Sequence, residues 1–318
     1  MLSLPDFKEK QIVFIESDNN KKISFSNDNL TITEEEKVTY QVSCHKIFCV
    51  FIIGEISITS VFLQKAVYYG ICVVLLNRNF SVYAVIGSET EGNYILRKKQ
   101  YAVENSLQLP IHVVTNKITN QMNLLSIKRS KNEQEKTAIE NIKQLANKAL
   151  KAQSREELLG YEGNASKIFF AAYFKPLKWH RREPRTKYDI ANTLLDIGYT
   201  YLFNFIEAHL RLYGFDVYFG FYHQLFYQRK SLVCDIQEPF RCIIDKALLR
   251  AHNLGQIHEK DFSTGRGAYE LKFKEARKYS KIFLEAIMKH KEEIFLYVQS
   301  FYRACIKENN DYPYFLIK

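Results

Sequence analysis

The sequence predicts an α+β protein with a small β-rich N-terminal domain, residues 1–92, and a larger all-α domain, residues 93–318. Residues 11–87 contain short apolar runs rich in β-branched and aromatic residues, which are separated by polar turns with Asn, Asp and Gly. After Tyr94 the pattern changes to long segments of helical periodicity with Lys and Glu on their polar faces. We therefore expect the boundary at about residues 88–97.

The N-terminal part contains six candidate strands and one candidate helix. The strands are QIVFIE, KISFS, KVTYQVS, KIFCVFII, CVVLLN and FSVYAVIG, and the helix lies near Thr59 to Tyr69. Sheet edges in a small domain must be paired or covered, so these weakly charged apolar strands are compatible with self-association.

The C-terminal part contains three informative helical segments. Residues 120–157 form amphipathic helices, and residues 187–213 form a long core helix that Gly214 ends. Residues 231–250 also have a helical apolar stripe, but Pro239 cannot donate its backbone nitrogen to the carbonyl four residues earlier. We expect a kink or an opened turn there.

The net charge of +10 is concentrated in the C-terminal part. Residues 1–94 carry 8 Lys and Arg against 11 Asp and Glu, whereas residues 95–318 carry 37 against 24. This asymmetry favours a polyanionic partner such as DNA, because neutralised phosphates release their counterions. The alternative is a lysine-rich surface that serves only solubility.

The six cysteines contain no CxxC pair, and most lie in apolar runs. They indicate free thiols in a reducing cytosol. No apolar run reaches the roughly 18 residues of a membrane span. We expect a cytoplasmic protein without membrane association.

Three short segments supply candidate ligands for a divalent metal. They are Gly-Tyr-Glu-Gly at 160–163, Gly-Phe-Tyr-His at 220–223 and Asp-Ile-Gln-Glu-Pro-Phe-Arg at 235–241. Their candidate catalytic residues are Glu162, His223, Asp235 and Glu238. Hard oxygen ligands with one imidazole suit a metal ion used in phosphodiester chemistry.

Each candidate also has a plain structural explanation. Asp235 and Glu238 lie three apart beside the expected kink, where Arg241 or a nearby lysine can neutralise them. His223 follows an apolar run and fits a buried core histidine. Glu162 fits a carboxylate in the first turn of a helix, where the helix dipole favours it.

The stretch KPLKWHRREPRTK at 175–187 has six Lys or Arg residues and the only tryptophan. Such a loop suits phosphate contacts and stacking on a base or sugar. The candidate DNA-binding residues are Lys175, Lys178, Trp179, Arg181, Arg182 and Arg185. The alternative is a solvated basic loop. No GxxxxGK[ST] motif is present, which disfavours a nucleotide-hydrolysing motor.

In this order, these residues resemble the CRISPR adaptation integrase, the first and most widespread family of CRISPR-associated nucleases. The similarity is strong over 160–250. It includes Gly160 to Ala165, the 181–192 stretch, Leu194-Leu195, Gly198-Tyr199, Gly220 to His223, Ser231-Leu232, Asp235, Glu238 to Arg241 and Asp245.

The resemblance implies a β-domain that mediates homodimerisation and a helical catalytic domain that binds Mg²⁺ or Mn²⁺. Glu162, His223 and Glu238 match the family's metal ligands, with Asp235 as an auxiliary carboxylate. Other members often have aspartate in place of Glu238. The expected partner is a small ferredoxin-like CRISPR-associated protein, with two homodimers flanking one partner dimer in a heterohexamer.

The implied reaction joins the 3′-hydroxyl ends of captured DNA to the leader end of a repeat array. A hydrolytic, structure-selective nuclease with the same metal site is one alternative. A DNA-binding scaffold without catalysis is another. His223 suits either a ligand or a proton shuttle.

Overall fold

The computed structural model describes residues 3–18, 21–87, 93–102, 106–128, 130–177, 179–223, 226–265, 267–308 and 312–318. The N-terminal strands are β1 (Gln11–Asp18), β2 (Lys21–Ser26), β3 (Asn29–Glu34), β4 (Lys37–Ser43), β5 (Ile47–Glu55), β6 (Cys72–Leu76) and β7 (Val82–Ile86). The helices are α1 (Leu4–Lys8), α2 (Ser60–Tyr68), α3 (Tyr94–Ala102), α4 (Gln108–Ser126), α5 (Glu133–Ala149), α6 (Arg155–Tyr173), α7 (Ile190–Tyr213), α8 (Ser231–Gln237), α9 (Arg241–Asn253), α10 (Ala276–Lys289) and α11 (Lys291–Lys307). The mixed α+β class is confirmed, with strands first and a helical region after them.

The N-terminal strands form two sheets. One has the order β1-β5-β6-β7, with β1, β5 and β6 parallel and β7 antiparallel to β6. The other is the antiparallel meander β2-β3-β4. β6 is buried throughout, and β5 is buried except for its last residue, as expected for parallel strands covered on both faces.

Strand β5 separates two apolar cores. Successive side chains of a strand point to opposite faces, so Val50 and Ile52 join the core beneath α2 and the meander. Phe51 and Ile53 join the core formed with the helices. The Phe51 ring lies 5.1 Å from that of Tyr201 in α7. The larger sheet and the helical region therefore share one core.

Helix α7 is the central helix, and it ends at the predicted residue but begins at Ile190 rather than at residue 187. Asp189 caps its first turn by accepting from the backbone N–H of Asn192 at 2.7 Å, and Gly214 ends it with a φ of 84°. A Cβ on Gly198 would lie 2.5 Å from the Ile244 Cγ2 atom. The glycine therefore allows α7 to approach α9 closely.

The predicted break at Pro239 is confirmed. Helix α8 ends at Gln237, a 3-10 turn occupies Glu238–Phe240, and α9 continues from Arg241. The break places Glu238 in a tight turn that is nearly inaccessible to solvent. Its carboxylate is therefore held by the turn rather than by a continuous helix.

Three features differ from the sequence prediction. Strand β3 was not predicted, although the segment NLTITE pairs with both β2 and β4. The helical region also contains a two-stranded hairpin of β8 (Phe262–Gly265) and β9 (Ala268–Leu271), so it is not entirely α-helical. Glu162 lies two turns inside α6, so the explanation from a first-turn dipole is wrong. Among the described helices, none has the length and apolar character needed to cross a membrane.

Candidate active site

The loop at 220–223 is organised by one buried carboxylate. Asp235 is inaccessible to solvent; its Oδ2 atom accepts from the backbone N–H groups of Phe221 at 2.7 Å and Tyr222 at 3.0 Å. Its Oδ1 atom accepts from the His223 backbone N–H at 2.9 Å. A Cβ on Gly220 would lie 2.6 Å from the Oδ2 atom, so the close approach requires glycine.

The same carboxylate orients the His223 ring. The His223 Nδ1 atom lies 2.6 Å from the Asp235 Oδ1 atom. A carboxylate only accepts hydrogen bonds, so Nδ1 carries the proton and Nε2 keeps the lone pair of the neutral ring. This is the arrangement that fixes the tautomer of a metal-bound or proton-accepting histidine.

Glu162 and Glu238 converge on a single cation, the ammonium group of Lys117. Lys117 contacts the Glu162 Oε1 atom and lies 2.6 Å from the Glu238 Oε2 atom. Tyr222 donates its hydroxyl to the Glu162 Oε2 atom, and Arg241 lies 3.3 Å from the Glu238 Oε1 atom. Glu162 from α6 and Glu238 from the 3-10 turn thus meet opposite α4.

These cations determine the charge state of Glu238. Burial alone would raise the pKa of this carboxyl, but Arg241 and Lys117 lower the pKa to about 2. Burial opposes the charge of Lys117, yet Glu162 and Glu238 raise its pKa above the ordinary value. Glu238 and Lys117 are therefore both charged across the physiological range.

A third buried carboxylate, Asp245, lines a small pocket together with Glu238 and Arg241. Tyr199 donates its hydroxyl to the Asp245 Oδ1 atom at 2.5 Å, and burial raises the pKa of Asp245 to about 6. The Arg241 guanidinium lies 4.4 Å from the centre of the Tyr199 ring. Arg241 therefore contacts Glu238 and Tyr199 together and is held between them.

The site opens into a cavity of about 1350 Å³ whose wall includes His223 and Glu238. The wall extends from the helices to the β6–β7 turn, and its charged residues are mostly basic. The basic residues are Arg78, Arg182, Arg185, Lys187, Arg229, Lys230, Arg241 and Lys272, against Asp196, Glu238 and Glu270. Its size and charge suit a polyanionic backbone.

The arginines of the 175–187 stretch are largely engaged within the protein. Arg182 is mostly buried and pairs with Asp196 and with the Asn192 side chain. Arg185 uses its backbone N–H to contact Asp196 at 2.9 Å, and its side chain lines the large cavity. Arg181 pairs with Glu183 while remaining exposed. This loop is thus folded onto α7.

Trp179 and Lys175 of the predicted DNA-binding stretch contact neighbouring helices of the protein. The Trp179 ring packs edge-on against Phe170 at 5.2 Å and Phe174 at 5.1 Å, which places the indole against α6. The Lys175 ammonium donates to the Gln134 side chain at 2.8 Å on the exposed surface. Lys178 lies outside the described residues.

The acidic side chains of the described site are engaged with other groups and are not arranged around a metal position. Within the ranges that the structure describes, no three Asp, Glu, His or Cys side chains are placed together as a metal centre. Asp235 is committed to the loop, and the Lys117 ammonium lies between Glu162 and Glu238. The pair already binds a cation, and hard carboxylate oxygens beside an imidazole suit Mg²⁺ or Mn²⁺. The donor set therefore fits such an ion if Lys117 moves aside.

Sequence reasoning missed Lys117 and the role of Tyr222. A signal for Lys117 was present in α4, where Asn116, Lys117, Asn120 and Gln121 interrupt an apolar helix with polar residues one turn apart. All four are buried. Buried polar residues at this spacing indicate partners inside the protein.

The sequence matches one family model over most of its length. Residues 14–285 match the family model described as CRISPR associated protein Cas1. The chain belongs to the Cas1 family. The CRISPR-associated endonuclease Cas1 1 of Thermodesulfovibrio yellowstonii is 30% identical over 275 residues, which cover 82% of this chain and 86% of the relative.

Solved structures share the fold. A Cas1 protein from Thermotoga maritima has a TM-score of 0.80 at 17% identity, over 94% of this chain and 99% of the other. A casposase bound to its integration product has a TM-score of 0.79 at 19% identity, over 96% of this chain and 93% of the other. A Cas6-RT-Cas1–Cas2 complex has a TM-score of 0.80 at 22% identity and contains a polypeptide of which this chain spans 36%. The Cas1 fold thus extends over nearly the whole chain.

Proposed function

We propose that this Cas1 protein is the integrase of CRISPR adaptation, which joins the 3′-hydroxyl ends of captured DNA to the repeat at the leader end. One observation carries the proposal. Glu162 and Glu238 bind a shared cation beside His223, whose ring is held by Asp235 at the wall of a large basic cavity. Acidic oxygens, an oriented imidazole and a basic channel are the parts that metal-dependent phosphodiester chemistry needs.

Glu162, His223 and Glu238 would hold Mg²⁺ or Mn²⁺ in this proposal. When bound, the ion polarises the target phosphate and lowers the pKa of the attacking 3′-hydroxyl. The bridging ammonium supports a cation position between the two glutamates. The buried surroundings of Glu238 strengthen its attraction for a cation.

The protein's own residues supply orientation and charge. Asp235 fixes the His223 tautomer, so that Nε2 is available as a ligand or as an acceptor of the 3′-hydroxyl proton. The basic residues of the large cavity would position the DNA backbones. Because a new phosphodiester bond replaces the broken one, the reaction needs no nucleotide hydrolysis.

The proposed assembly follows from the relatives and from the charge pattern. A complex containing Cas1 and Cas2 is among the structural neighbours. We propose a homodimer through the N-terminal β-rich region and a small ferredoxin-like partner in a cytoplasmic heterohexamer. Two of these homodimers would flank one partner dimer on DNA.

The test combines the protein, its small partner, short duplexes with free 3′-hydroxyls and a supercoiled plasmid carrying the repeat. Strand joining is expected with Mn²⁺ and not with EDTA. The variants Glu162→Ala, His223→Ala and Glu238→Ala should each lose joining, whereas Glu140→Gln on the exposed face of α5 should retain it. Joining that persists in EDTA would contradict the metal-dependent integrase.

A hydrolytic nuclease is the second candidate, because the 30% identical relative is named an endonuclease. Water would then replace the 3′-hydroxyl as the nucleophile in the same site. The same reactions distinguish the two activities, since hydrolysis linearises or nicks the plasmid without attaching the labelled duplex. Unchanged products in all three alanine variants would favour a scaffold without catalysis.

A further inference from the structure

The C-terminal segment Tyr312–Lys318 packs against the helices, with buried residues at 312, 315 and 317 and exposed residues between them. Tyr312, Phe315 and Ile317 are buried, whereas Leu316 is half exposed. The segment forms no helix or strand. Its backbone must therefore find hydrogen-bond partners elsewhere, since buried N–H and C=O groups are costly when unpaired.

Two asparagines of α4 provide those partners. Asn116 donates from Nδ2 to the Phe315 carbonyl at 2.6 Å and accepts from the Phe315 N–H at 3.0 Å. Asn120 donates to the same carbonyl at 2.9 Å and accepts from the Ile317 N–H at 2.9 Å. The asparagines are four residues apart and face the segment together. The two side chains thus form hydrogen bonds that a neighbouring β-strand would otherwise provide.

Asn120 also connects the segment to the helix break that carries Glu238. Its Nδ2 atom donates to the Pro239 carbonyl at 2.9 Å. The Phe315 ring packs on the Phe240 ring with centroids 4.7 Å apart. The terminal segment therefore contacts Phe240 directly and is connected to Pro239 through the Asn120 side chain, which donates to both the Pro239 and the Phe315 carbonyls.

Helix α4 presents different residues of the same two turns to the site and to the terminal segment. Asn116 and Asn120 face the segment, while Lys117 contacts Glu162 and Glu238. A displacement of the segment would thus reach the carboxylates by two routes. One is the turn that contains Glu238, and the other is the helix that contains Lys117.

We propose that Tyr312–Lys318 is a positioning element of the active site, which holds the Glu238–Phe240 turn against α4 in the geometry that a divalent metal requires. The role in metal binding rests on the proposed function. The mechanical role does not, because it concerns only the order of the turn. Phe315 is the central positioning residue, since both its backbone and its ring contribute.

The experiment compares Phe315→Ala with Leu316→Ala in the full chain. Hydrogen exchange measured by mass spectrometry reports the order of the turn without any metal. In Phe315→Ala the amides of 237–243 should exchange at least tenfold faster, while those of α5 remain unchanged. In Leu316→Ala both regions should exchange at the wild-type rate.

The metal-dependent readout is Mn²⁺ binding followed by electron paramagnetic resonance. Phe315→Ala should weaken Mn²⁺ binding about tenfold, and Phe315→Tyr, which keeps the ring, should restore most of it. If Phe315→Ala does not fold, Phe315→Leu is measured in its place, with a smaller change of the same sign in both readouts.

Normal exchange at 237–243 in a folded Phe315→Ala or Phe315→Leu protein overturns the proposal. Faster exchange with unchanged Mn²⁺ affinity overturns the role in metal binding. If the wild-type protein binds no Mn²⁺, the proposed metal site fails, and the exchange result alone decides whether the segment orders the turn.

Discussion

The Asp235→Asn substitution tests whether Asp235 organises the 220–223 loop or serves only as a metal ligand. In the protein without metal, a carboxylate that serves only as a ligand lies near other acids and repels them, so its neutralisation stabilises the fold. Asp235 instead accepts four hydrogen bonds from the 221–223 backbone and the His223 ring. Neutralising it should therefore destabilise the protein, and the sign of the change decides between the roles.

The magnitude follows from the two oxygen atoms. Asparagine keeps one acceptor oxygen and replaces the other by an NH₂ group, which faces N–H donors. Two of the four hydrogen bonds to Asp235 are then lost. At about 1.5–3 kcal/mol for each hydrogen bond to a charged group, the free energy of unfolding should fall by roughly 3–6 kcal/mol. This corresponds to a decrease in Tm of roughly 6–12 °C.

The assay is thermal unfolding followed by circular dichroism in EDTA, so that no metal contributes. Glu140→Gln is the matched control, because it makes the same kind of exchange on an exposed helix face. The control should unfold within about 1 °C of the wild type, as surface substitutions usually do. An Asp235→Asn protein as stable as this control would refute the organising role.

Four further substitutions test other contacts. Lys117→Met removes the cation that Glu162 and Glu238 share, so the metal-free Tm should fall while Mn²⁺ affinity rises at least tenfold by calorimetry. A weaker affinity would contradict the shared cation position. Gly163→Ala should stabilise the protein by about 0.5–1 kcal/mol in urea unfolding, because a Cβ there meets nothing within 4 Å of the described structure. Gly198→Ala should destabilise it by about 1–3 kcal/mol because of the 2.5 Å contact, and equal effects at both glycines would count against the close helix packing. Asp245 has a raised pKa of about 6 against 3.8 when unfolded, so its contribution to stability is present below pH 3.8 and lost as the pH rises through 6. Asp245→Asn should remove on the order of 3 kcal/mol of that pH dependence, measured by urea unfolding at pH 4 and 7.

Local patterns made much of the fold predictable. The break at Pro239 follows from the covalent structure of proline, and the end of α7 follows from the left-handed conformation that Gly214 adopts. The continuous apolar run of β5 predicts a buried strand. In each case the decisive information lies within one element of the chain.

The internal arrangement of the site depends on contacts between distant segments. Lys117 meets Glu162 and Glu238 from α4, and the local sequence of α4 does not reveal which side chains lie opposite it. Asp235 lies 12 to 14 residues beyond the backbone groups that it binds, so its four hydrogen bonds arise only from tertiary packing. The metal ligands and the DNA-binding role of the basic stretch remain predictions.

Strand β5 separates two apolar cores, so a substitution in this strand affects one core or the other. Val50 and Ile52 pack in the core beneath α2 and the β2-β3-β4 meander, while Phe51 and Ile53 pack against the helices. Neighbouring substitutions in one strand therefore act on different cores. Substitution of Val50 or Ile52 therefore changes the core beneath α2 and the meander and leaves the helix-side core unaltered. Phe51 and Ile53, together with Phe48 and Cys49, form the apolar surface on which the helices pack. The two cores on either side of β5 can thus vary independently of each other.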